Sequence, residues 1–359
     1  MRVPTSVRTV MADMAVHCTS CGECVRPCSF LQQHGTPAAI AQKTDFEKKL
    51  LSAYQCSLCG LCDAVCPEGL SPSALFLAMR QEAARLRLID LGTYASWLNY
   101  ERLGSSPFFR RDHIPDGCTA VFFPGCSLPG TRPAAVLTLY ELLRQLDQTT
   151  GLVLDCCGKI SHDLGLGERF DGLFEKLAAR LLHKGITRIF TTCPGCSKIF
   201  RHCGKGFEVT SVYELISTLP SLPVHTPSDP QTIAVHDPCP ARFDQPQQRA
   251  VRQLVSRCGY QVAELPSHGR MTRCCGQGGM VEACRPGTVR TEARLLAAEA
   301  GGVPLVSSCA SCAETLTAIT PALHIADLLT PDGSSNGRPA TSSFRRWLNR
   351  LKLKFARLS

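Results

Sequence analysis

The sequence predicts an α/β protein: an N-terminal α-helical module, two duplicated α/β domains related by pseudo-two-fold symmetry, and a C-terminal amphipathic helix. Three observations predict this class. Two four-cysteine runs lie near the N-terminus, two five-cysteine patterns follow, and short apolar strands alternate with helical segments around the latter. The predicted parts are 1–90 (helical module), 91–117 (linker), 118–225 and 226–331 (duplicated domains), 332–343 (flexible linker) and 344–359 (amphipathic helix).

Cysteine content decides the class of protein. The 359 residues include 22 cysteines, and 44 % of the residues are apolar, which is enough for ordinary cores. The N-terminal residues lack the apolar segment of a secretory signal, so we do not expect a secreted disulfide protein. Cysteine pairs spaced by two residues then indicate metal ligands. No run of about 18 apolar residues exists, so no helix is expected to span a bilayer.

The helical module carries two cysteine runs of identical spacing. They are Cys18, Cys21, Cys24 and Cys28, and then Cys56, Cys59, Cys62 and Cys66. The spacing resembles that of bacterial two-cluster ferredoxins, in which the fourth cysteine of each run ligates the other cube. We therefore predict two cubane [4Fe-4S] clusters in an α-helical ferredoxin domain, cluster 1 on Cys18, Cys21, Cys24 and Cys66, and cluster 2 on Cys56, Cys59, Cys62 and Cys28. Zinc is the alternative, which two complete runs disfavour.

Two five-cysteine sets follow the helical module. The first set is Cys126, Cys156, Cys157, Cys193 and Cys196, and the second set is Cys239, Cys274, Cys275, Cys309 and Cys312. Matching members lie 113 (126 to 239), 118 (156 to 274) and 116 (193 to 309) residues apart, which indicates an internal duplication. Adjacent cysteines cannot readily form a disulfide with each other, so each adjacent pair indicates a metal.

This pattern, with a Cys-Cys-Gly centre and a Cys-x-x-Cys end, resembles the cysteine-rich CCG domain. That domain occurs in the D subunits of heterodisulfide reductases and in the iron–sulfur subunits of glycolate, lactate and anaerobic glycerol-3-phosphate dehydrogenases. The resemblance covers roughly residues 118–330. It implies one or two further [4Fe-4S] clusters of a non-cubane type, with Cys156, Cys157, Cys274 and Cys275 as catalytic residues. Gly158, Gly276, Gly278 and Gly279 are expected to bind the cofactor by letting the backbone approach it.

The two sets differ after their adjacent cysteines. Residues 159–162 of the first read Lys-Ile-Ser-His, where the second has Gln277 followed by two glycines, and the first interval of the first set is short at 29 residues. A cluster, zinc or no metal therefore all remain open for the first set. Lys159 and His162 are candidates to contact an anionic substrate, but we expect ordinary surface residues.

Strand positions explain how distant cysteines can meet. Strands expected at 120–123, 152–154, 189–192, 232–235 and 303–307 each run towards a cysteine. Open α/β sheets bind ligands beyond the carboxyl ends of their strands, so Rossmann-like sheets would place each set at that edge. His236 and Asp237 either move a proton there or support the turn before Pro238. Four cysteines outside the motifs are expected in the core: Cys118, Cys203, Cys258 and Cys284.

The tail combines one apolar face with many basic residues. Phe344, Trp347, Leu348, Leu351, Phe355 and Leu358 share a helical face, and the basic residues are Arg345, Arg346, Arg350, Lys352, Lys354 and Arg357. Such a helix fits an anionic membrane surface or a partner's groove. The chain's net charge of +9 includes seven basic residues after Asp332, which leaves +2 for the body and no support for nucleic-acid binding.

These features predict an iron–sulfur oxidoreductase subunit. We expect it to carry single electrons from a flavoprotein dehydrogenase to a quinone or a membrane-bound quinone-reactive subunit, at the inner face of the cell membrane. The chain has no GxGxxG fingerprint, so partners must supply any flavin or nicotinamide. The alternative is a catalytic reductase that cleaves a disulfide at non-cubane clusters, which two complete five-cysteine sets favour.

Overall fold

The structure, a computed structural model, describes residues 6–224, 227, 229, 231–330 and 341–358. The predicted flexible linker 332–343 lies outside the described residues, apart from 341–343. The described part forms a helical N-terminal module, two α/β units and a C-terminal helix.

The N-terminal module consists of short helices separated by the cysteine loops. The helices are α1 (Val7–His17), α2 (Ser29–His34), α3 (Pro37–Gln42), α4 (Phe46–Ser52), α5 (Leu61–Val65), α6 (Pro72–Arg85) and α7 (Ala95–Gly104). Thr36 and Asp45 cap α3 and α4 by accepting hydrogen bonds from backbone amides. Leu50 and Met79 are buried at the centre of the module, so its small apolar core holds the cysteine loops around it.

The first α/β unit contains a five-stranded sheet. Its elements are β1 (Arg111–His113), β2 (Ala120–Phe123), α8 (Ser127–Thr131), α9 (Pro133–Leu146), β3 (Gly151–Leu154), α10 (Lys159–Asp163), α11 (Gly167–His183), β4 (Arg188–Thr191), α12 (Pro194–Cys203), β5 (Glu208–Ser211) and α13 (Val212–Ile216). The strand order is β1-β3-β2-β4-β5, parallel except for β1. Every residue of β2 and β3 is buried, as in parallel sheets covered on both faces.

The second α/β unit contains a four-stranded, fully parallel sheet. Its elements are β6 (Gln231–His236), α14 (Gln245–Arg257), β7 (Tyr260–Glu264), α15 (Thr288–Glu299), β8 (Leu305–Ser307), α16 (Ala310–Thr317), β9 (Ala322–His324) and α17 (Ile325–Leu328). The strand order β7-β6-β8-β9 matches β3-β2-β4-β5 of the first unit. Helices and parallel sheets fit the predicted α/β class, while the pseudo-two-fold relation stays a prediction.

The segment 91–117, predicted as a linker, is folded. It contains α7 and β1, and β1 forms an antiparallel edge of the first sheet. Glu101 in α7 is fully buried and accepts a hydrogen bond from the backbone amide of Ser161 at 3.0 Å. The prediction missed these elements because a buried carboxylate and a three-residue edge strand produce no hydrophobic periodicity in the sequence.

The C-terminal helix α18 (Ser343–Lys354) packs on the protein's own first α/β unit. Leu353 is buried in the core that both units share, and the Trp347 ring centroid lies 4.4 Å from that of Phe109. Arg350 was expected on the solvent side of the amphipathic helix, but it is 1 % exposed. The prediction of its position was wrong because two backbone carbonyl oxygens accept the hydrogen bonds that its guanidinium would otherwise donate to water, as described below. No helix in the described ranges is long and apolar enough to cross a membrane.

Candidate metal centres

The four cysteines predicted to hold cluster 1 surround one cavity of the helical module. Cys18, Cys21, Cys24 and Cys66 all line it. Cys24 is buried, whereas Cys21 is exposed, so this cavity lies at the protein surface. Burial raises the pKa of Cys24 to about 11. Such a thiol becomes a thiolate when a metal replaces its proton.

The cysteines predicted to hold cluster 2 surround a second cavity. Cys28, Cys56, Cys59 and Cys62 line it, and so does Cys274 of the second five-cysteine set. Cys59 and Cys274 both line this cavity, and their thiols interact with each other. Burial raises the pKa of Cys28 to about 11. The second cavity therefore joins the helical module directly to the second α/β unit.

The first five-cysteine set converges beyond the carboxyl ends of β2, β3 and β4. The thiol of Cys196 lies 3.3 Å from that of Cys157, and Cys156 hydrogen-bonds to Cys126. Cys193 caps α12 at the end of β4 and is hydrogen-bonded to Cys196. That hydrogen bond, assisted by backbone amides of the Cys-x-x-Cys turn, lowers the pKa of Cys193 to about 7. A thiolate, the form that binds metal, is thus favoured here.

The second five-cysteine set is assembled in the same way. Cys275 lies 3.1 Å from Cys312 and Cys239 lies 3.9 Å from Cys274, measured between sulfurs. Cys309 hydrogen-bonds to Cys312 at the start of α16. Hydrogen bonds from Cys274 and Cys312 lower the pKa of Cys275 well below its usual value. The structure therefore brings together all members of both predicted sets.

Lys159 lies between the two five-cysteine sets. It interacts electrostatically with Cys157 of the first set and Cys239 of the second, and it forms an ion pair with Asp163. Its side chain also passes Gly195 of the first Cys-x-x-Cys turn, because a Cβ there would lie 2.9 Å from Lys159 Cδ. The Lys159 side chain is partly exposed beside Gly195, and its role towards an anionic substrate stays a prediction.

Tyr213 also links the two sets, at their Cys-x-x-Cys ends. Its ring is fully buried, and its hydroxyl interacts electrostatically with both Cys193 and Cys309. Burial raises the pKa of Tyr213 well above its usual value, so the phenol is neutral. Lys159 and Tyr213 are therefore each within electrostatic range of cysteines from both sets.

The donor sets fit iron–sulfur clusters better than single ions. In the described ranges, no three His, Cys, Asp or Glu side chains converge as the ligands of one metal ion do. The module's thiols instead surround two cavities, one for each predicted cluster. A [4Fe-4S] cube is held by four cysteine thiolates at its corners, which each of these cavities offers. Each five-cysteine set offers one thiolate more.

Two protein families match the chain over these residues. A family described as 4Fe-4S dicluster domain matches residues 17–71, and one described as cysteine-rich domain matches residues 120–201 and 233–317. The curated relatives include the D subunit of dihydromethanophenazine:CoB–CoM heterodisulfide reductase from Methanosarcina mazei, 24 % identical over 355 residues, covering 81 % of this chain and 85 % of the relative. The corresponding protein of Methanosarcina barkeri is 23 % identical and covers 84 % and 88 %.

The chain carries both of these iron–sulfur domains and is similar to the D subunits of heterodisulfide reductases. The corresponding protein of Methanosarcina acetivorans is a third relative, at 23 % identity over 75 % of this chain and 79 % of the relative. These relatives are subunits of an oxidoreductase, and the chain, with its 4Fe-4S dicluster and cysteine-rich domains, is an iron–sulfur oxidoreductase component with an electron-transfer role.

Two of the predicted glycines, which follow Cys275, lie against the helical module. A Cβ at Gly279 would lie 2.7 Å from the carbonyl oxygen of Cys56, and one at Gly278 would overlap the carbonyl oxygen of Ser57. Gly279 also has a φ of 60°. Their small size lets the loop after Cys275 pack against the backbone of Cys56 and Ser57. That they also let the backbone approach a metal stays a prediction.

The other two predicted glycines shape the turns after the adjacent cysteines. Gly158 and Gly276 have φ angles of 76° and 86°, which side chains rarely adopt. A Cβ would lie 3.1 Å from the Phe170 ring at Gly158 and 2.8 Å from Cα of Val289 at Gly276. Both positions therefore need glycine for turn geometry and close packing.

The cysteines and histidine outside the sets differ in their surroundings. Cys118 and Cys258 are buried, Cys203 is half-buried, and Cys284 is exposed, with its sulfur 2.9 Å from the Tyr94 hydroxyl. The core expectation was therefore wrong for Cys284. His236 is buried, and its Nε2 lies 3.2 Å from the carbonyl oxygen of Arg273, so it supports the loop before Cys274.

Sequence reasoning missed three arginines beside the centres. Arg80, Arg242 and Arg350 are 0, 1 and 1 % exposed. Each donates a hydrogen bond to the carbonyl oxygen of a predicted metal ligand: Arg80 to Cys56 (2.5 Å), Arg242 to Cys59 (3.2 Å) and Arg350 to Cys126 (2.9 Å). Arginine is rarely buried without a partner. Because the partners here are backbone carbonyl oxygens, nothing in the local sequence marks these positions.

Proposed function

We propose that the chain is the electron-transfer subunit of a membrane-associated oxidoreductase complex, with two cubane [4Fe-4S] clusters in the module and one further cluster on each five-cysteine set. The cavity that Cys59 and Cys274 line together carries this proposal. It joins a ligand of cluster 2 to a ligand of the second five-cysteine centre. The clusters, when bound, exchange single electrons.

The chain's residues arrange the centres in a row. Cys21 is exposed, so a partner can approach cluster 1 there. Cys66 of the second run lies at cluster 1 and Cys28 of the first run lies at cluster 2, which keeps the two clusters side by side. Cluster 2 then borders the second five-cysteine set, and Lys159 and Tyr213 border both sets. The row gives electrons one continuous route from the surface of the module to the interface between the α/β units.

A flavoprotein dehydrogenase is the proposed donor, and a quinone or membrane-bound quinone-reactive subunit the proposed acceptor. The outer face of α18 supports location at the inner face of the cell membrane. Phe344 and Phe355 on that face are 79 and 75 % exposed, and Arg345 and Lys352 are exposed beside them. Exposed aromatic and basic residues together suit an anionic lipid surface.

Vesicle binding tests the membrane part of this proposal. We expect the protein to sediment with vesicles containing anionic lipid, and the Phe344→Ser/Phe355→Ser variant to lose most of that binding. Leu103→Ser, an exposed apolar position in α7, is the control that should still bind. Equal binding by both variants would place the contact elsewhere.

A second candidate function is reductive cleavage of a disulfide between the two five-cysteine sets. The positions of Lys159 and Tyr213 between the two complete sets favour it. Cleavage of the sulfur–sulfur bond takes up two electrons and two protons and gives two thiols. The electrons would come from the donor that reduces cluster 1, and the relatives' name, heterodisulfide reductase, describes the same class of reaction.

Iron content and thiol response separate the two functions. We expect about sixteen irons per chain after anaerobic reconstitution if each five-cysteine set holds four. A new electron paramagnetic resonance signal on addition of thiol or disulfide, lost in Cys275→Ser but kept in the exposed control Cys284→Ser, would support cleavage. Sixteen irons without a thiol response would support electron relay alone. About eight irons would contradict clusters on both sets.

A further inference from the structure

The three buried arginines share an unusual electrostatic position. Among the described residues, none of them pairs with a carboxylate. Arg80 donates to the carbonyl oxygens of Ala53, Cys56, Asp163 and Gly279, Arg242 to those of Cys59, Arg270 and Thr272, and Arg350 to those of Gly104 and Cys126. Backbone carbonyls offer only partial charges, so three full positive charges lie in the protein without a counter-charge.

An anionic group beside these arginines would offset the cost of burying their charges. Burying an unpaired charge is strongly unfavourable, and chains avoid it unless a charge of opposite sign lies near. An iron–sulfur cluster with four thiolate ligands is such an anion. Each arginine contacts a carbonyl of one of those ligands, so the cluster would lie within a few bonds of the guanidinium.

Arg350 is the clearest of the three because it comes from the far end of the chain. It donates to the Cys126 carbonyl oxygen at 2.9 Å and to that of Gly104 at 2.8 Å, and its Nε has no partner in the structure. Its guanidinium carbon lies 5.4 Å from the centre of the Trp347 ring. The C-terminal helix thus supplies a positive charge to the first five-cysteine set.

The cavity predicted to hold cluster 1 is lined by different residues. Of the described residues lining its cavity, none is arginine or lysine, and one is the acidic Glu68. Carboxylates also approach the other centres, but each has its own partners: Asp63 accepts from Ser73, Glu292 lies 3.6 Å from Arg273, and Glu101 accepts from Ser161 and lies 3.4 Å from Arg169. The buried arginines therefore distinguish the inner centres from cluster 1.

We infer that Arg80, Arg242 and Arg350 are positioning residues that act as counter-charges, raising the reduction potentials of cluster 2 and of the first five-cysteine centre above that of cluster 1. A nearby positive charge stabilises the reduced, more negative cluster, and little water is present to screen it. Electrons then run inward from cluster 1 to the α/β units. This inference rests on the proposed function, because it assumes clusters in both the module and the first set.

Redox titration of the reconstituted full chain, followed by electron paramagnetic resonance, tests the inference. We expect Arg350→Gln to shift the reduction equilibrium of the first five-cysteine centre at least tenfold towards the oxidised form, or about 59 mV for one electron. Arg242→Gln should shift cluster 2 in the same direction. Arg350→Lys should recover most of the shift, and Arg345→Gln, an exposed position on the same helix, should change nothing.

The outcomes separate the inference from the proposed function. Unchanged potentials in Arg350→Gln and Arg242→Gln, with all signals intact, would overturn the inference while leaving the relay function in place. A wild-type protein with no signal from the first set would contradict the proposed function. The Arg242 variants would then decide the inference, since cluster 2 is held by different cysteines. A wild-type potential of cluster 1 above that of cluster 2 would also overturn it.

Discussion

At the scale of single residues, a buried ion pair joins the two α/β units. Arg132 Nε donates to both carboxylate oxygens of Asp327 at 2.8 and 2.9 Å, and the two side chains are 6 and 3 % exposed. Asp327 also accepts from the backbone amide of His324, whose Nδ1 in turn accepts from the amide of Ala326. Breaking such a pair costs about 3–5 kcal/mol, because the remaining charge stays buried.

His324 makes stability depend on pH at this junction. Burial, with the charge of Arg132, lowers the pKa of His324 well below its usual 6.5. The unfolded chain binds a proton on this residue below about pH 6.5 that the folded chain cannot bind. His324 therefore costs no free energy of unfolding at neutral pH, and the free energy of unfolding decreases as the pH falls below about 6.5. In His324→Asn, the asparagine can still cap α17, and we expect the free energy of unfolding to decrease less as the pH falls.

Urea unfolding of wild type and His324→Asn at several pH values measures the effect. The free energy of unfolding of the two proteins should converge as the pH falls from about 7 to about 5. Parallel pH profiles would show that another group causes the acid sensitivity.

At the scale of secondary-structure elements, the C-terminal helix is part of the folded body. Arg111 donates to the carbonyl oxygens of Leu353 and Ala356 at 2.9 and 2.8 Å, which satisfies carbonyls at the end of the helix. Asn349 donates to the carbonyl oxygen of Gly130 at 2.7 Å. The predicted apolar face is divided between the two sides of α18. Trp347 turns inward, whereas Phe344 and Phe355 remain outward.

Leucine-to-alanine substitutions on the two sides of α18 test this division. Leu353 is 1 % exposed and Leu348 is 41 % exposed. We expect Leu353→Ala to lower the free energy of unfolding by about 2–5 kcal/mol, because it leaves a cavity in the shared core. The control Leu348→Ala should change it by about 0.5 kcal/mol or less. Similar losses in both variants would mean that the helix docks in another orientation.

At the scale of the whole molecule, Arg80 marks the point where all three folded parts meet. It donates to Cys56 of the module, to Asp163 of the first unit and to Gly279 of the second. The module is therefore docked at the junction of the two units, which places cluster 2 beside the second five-cysteine set. We therefore expect electron passage between these centres to depend on that docking.

Gly279→Ala tests whether the docking controls electron passage. Its Cβ would lie 2.7 Å from the Cys56 carbonyl oxygen, and overpacking of this kind costs about 1–3 kcal/mol. Gly287→Ala is the matched control, because Gly287 also has a positive φ but its Cβ would meet nothing within 4 Å. Rapid mixing with a reductant should show slower reduction of the five-cysteine centres in Gly279→Ala alone. Equal rates in both variants would exclude a role of the close approach.

Sequence alone determined which cysteines belong together and the order of the chain's parts. Spacings such as Cys18 to Cys28 are local, and thiolates at short fixed intervals must lie near one another whatever surrounds them. The α/β class followed similarly from strands that end at cysteines. The folded segment 91–117 escaped prediction because Glu101 and β1 are stabilised by partners distant in sequence.

Only the tertiary structure decided how these centres are connected. Cys59 and Cys274 are far apart in the chain, and so are Arg350 and Cys126. No local pattern encodes such contacts, because they arise when separate cores pack and leave a charge or a thiol at the boundary. Cysteine spacing therefore determines the chemistry available to this protein, whereas the docking of its parts determines the route between the centres and the charges beside them.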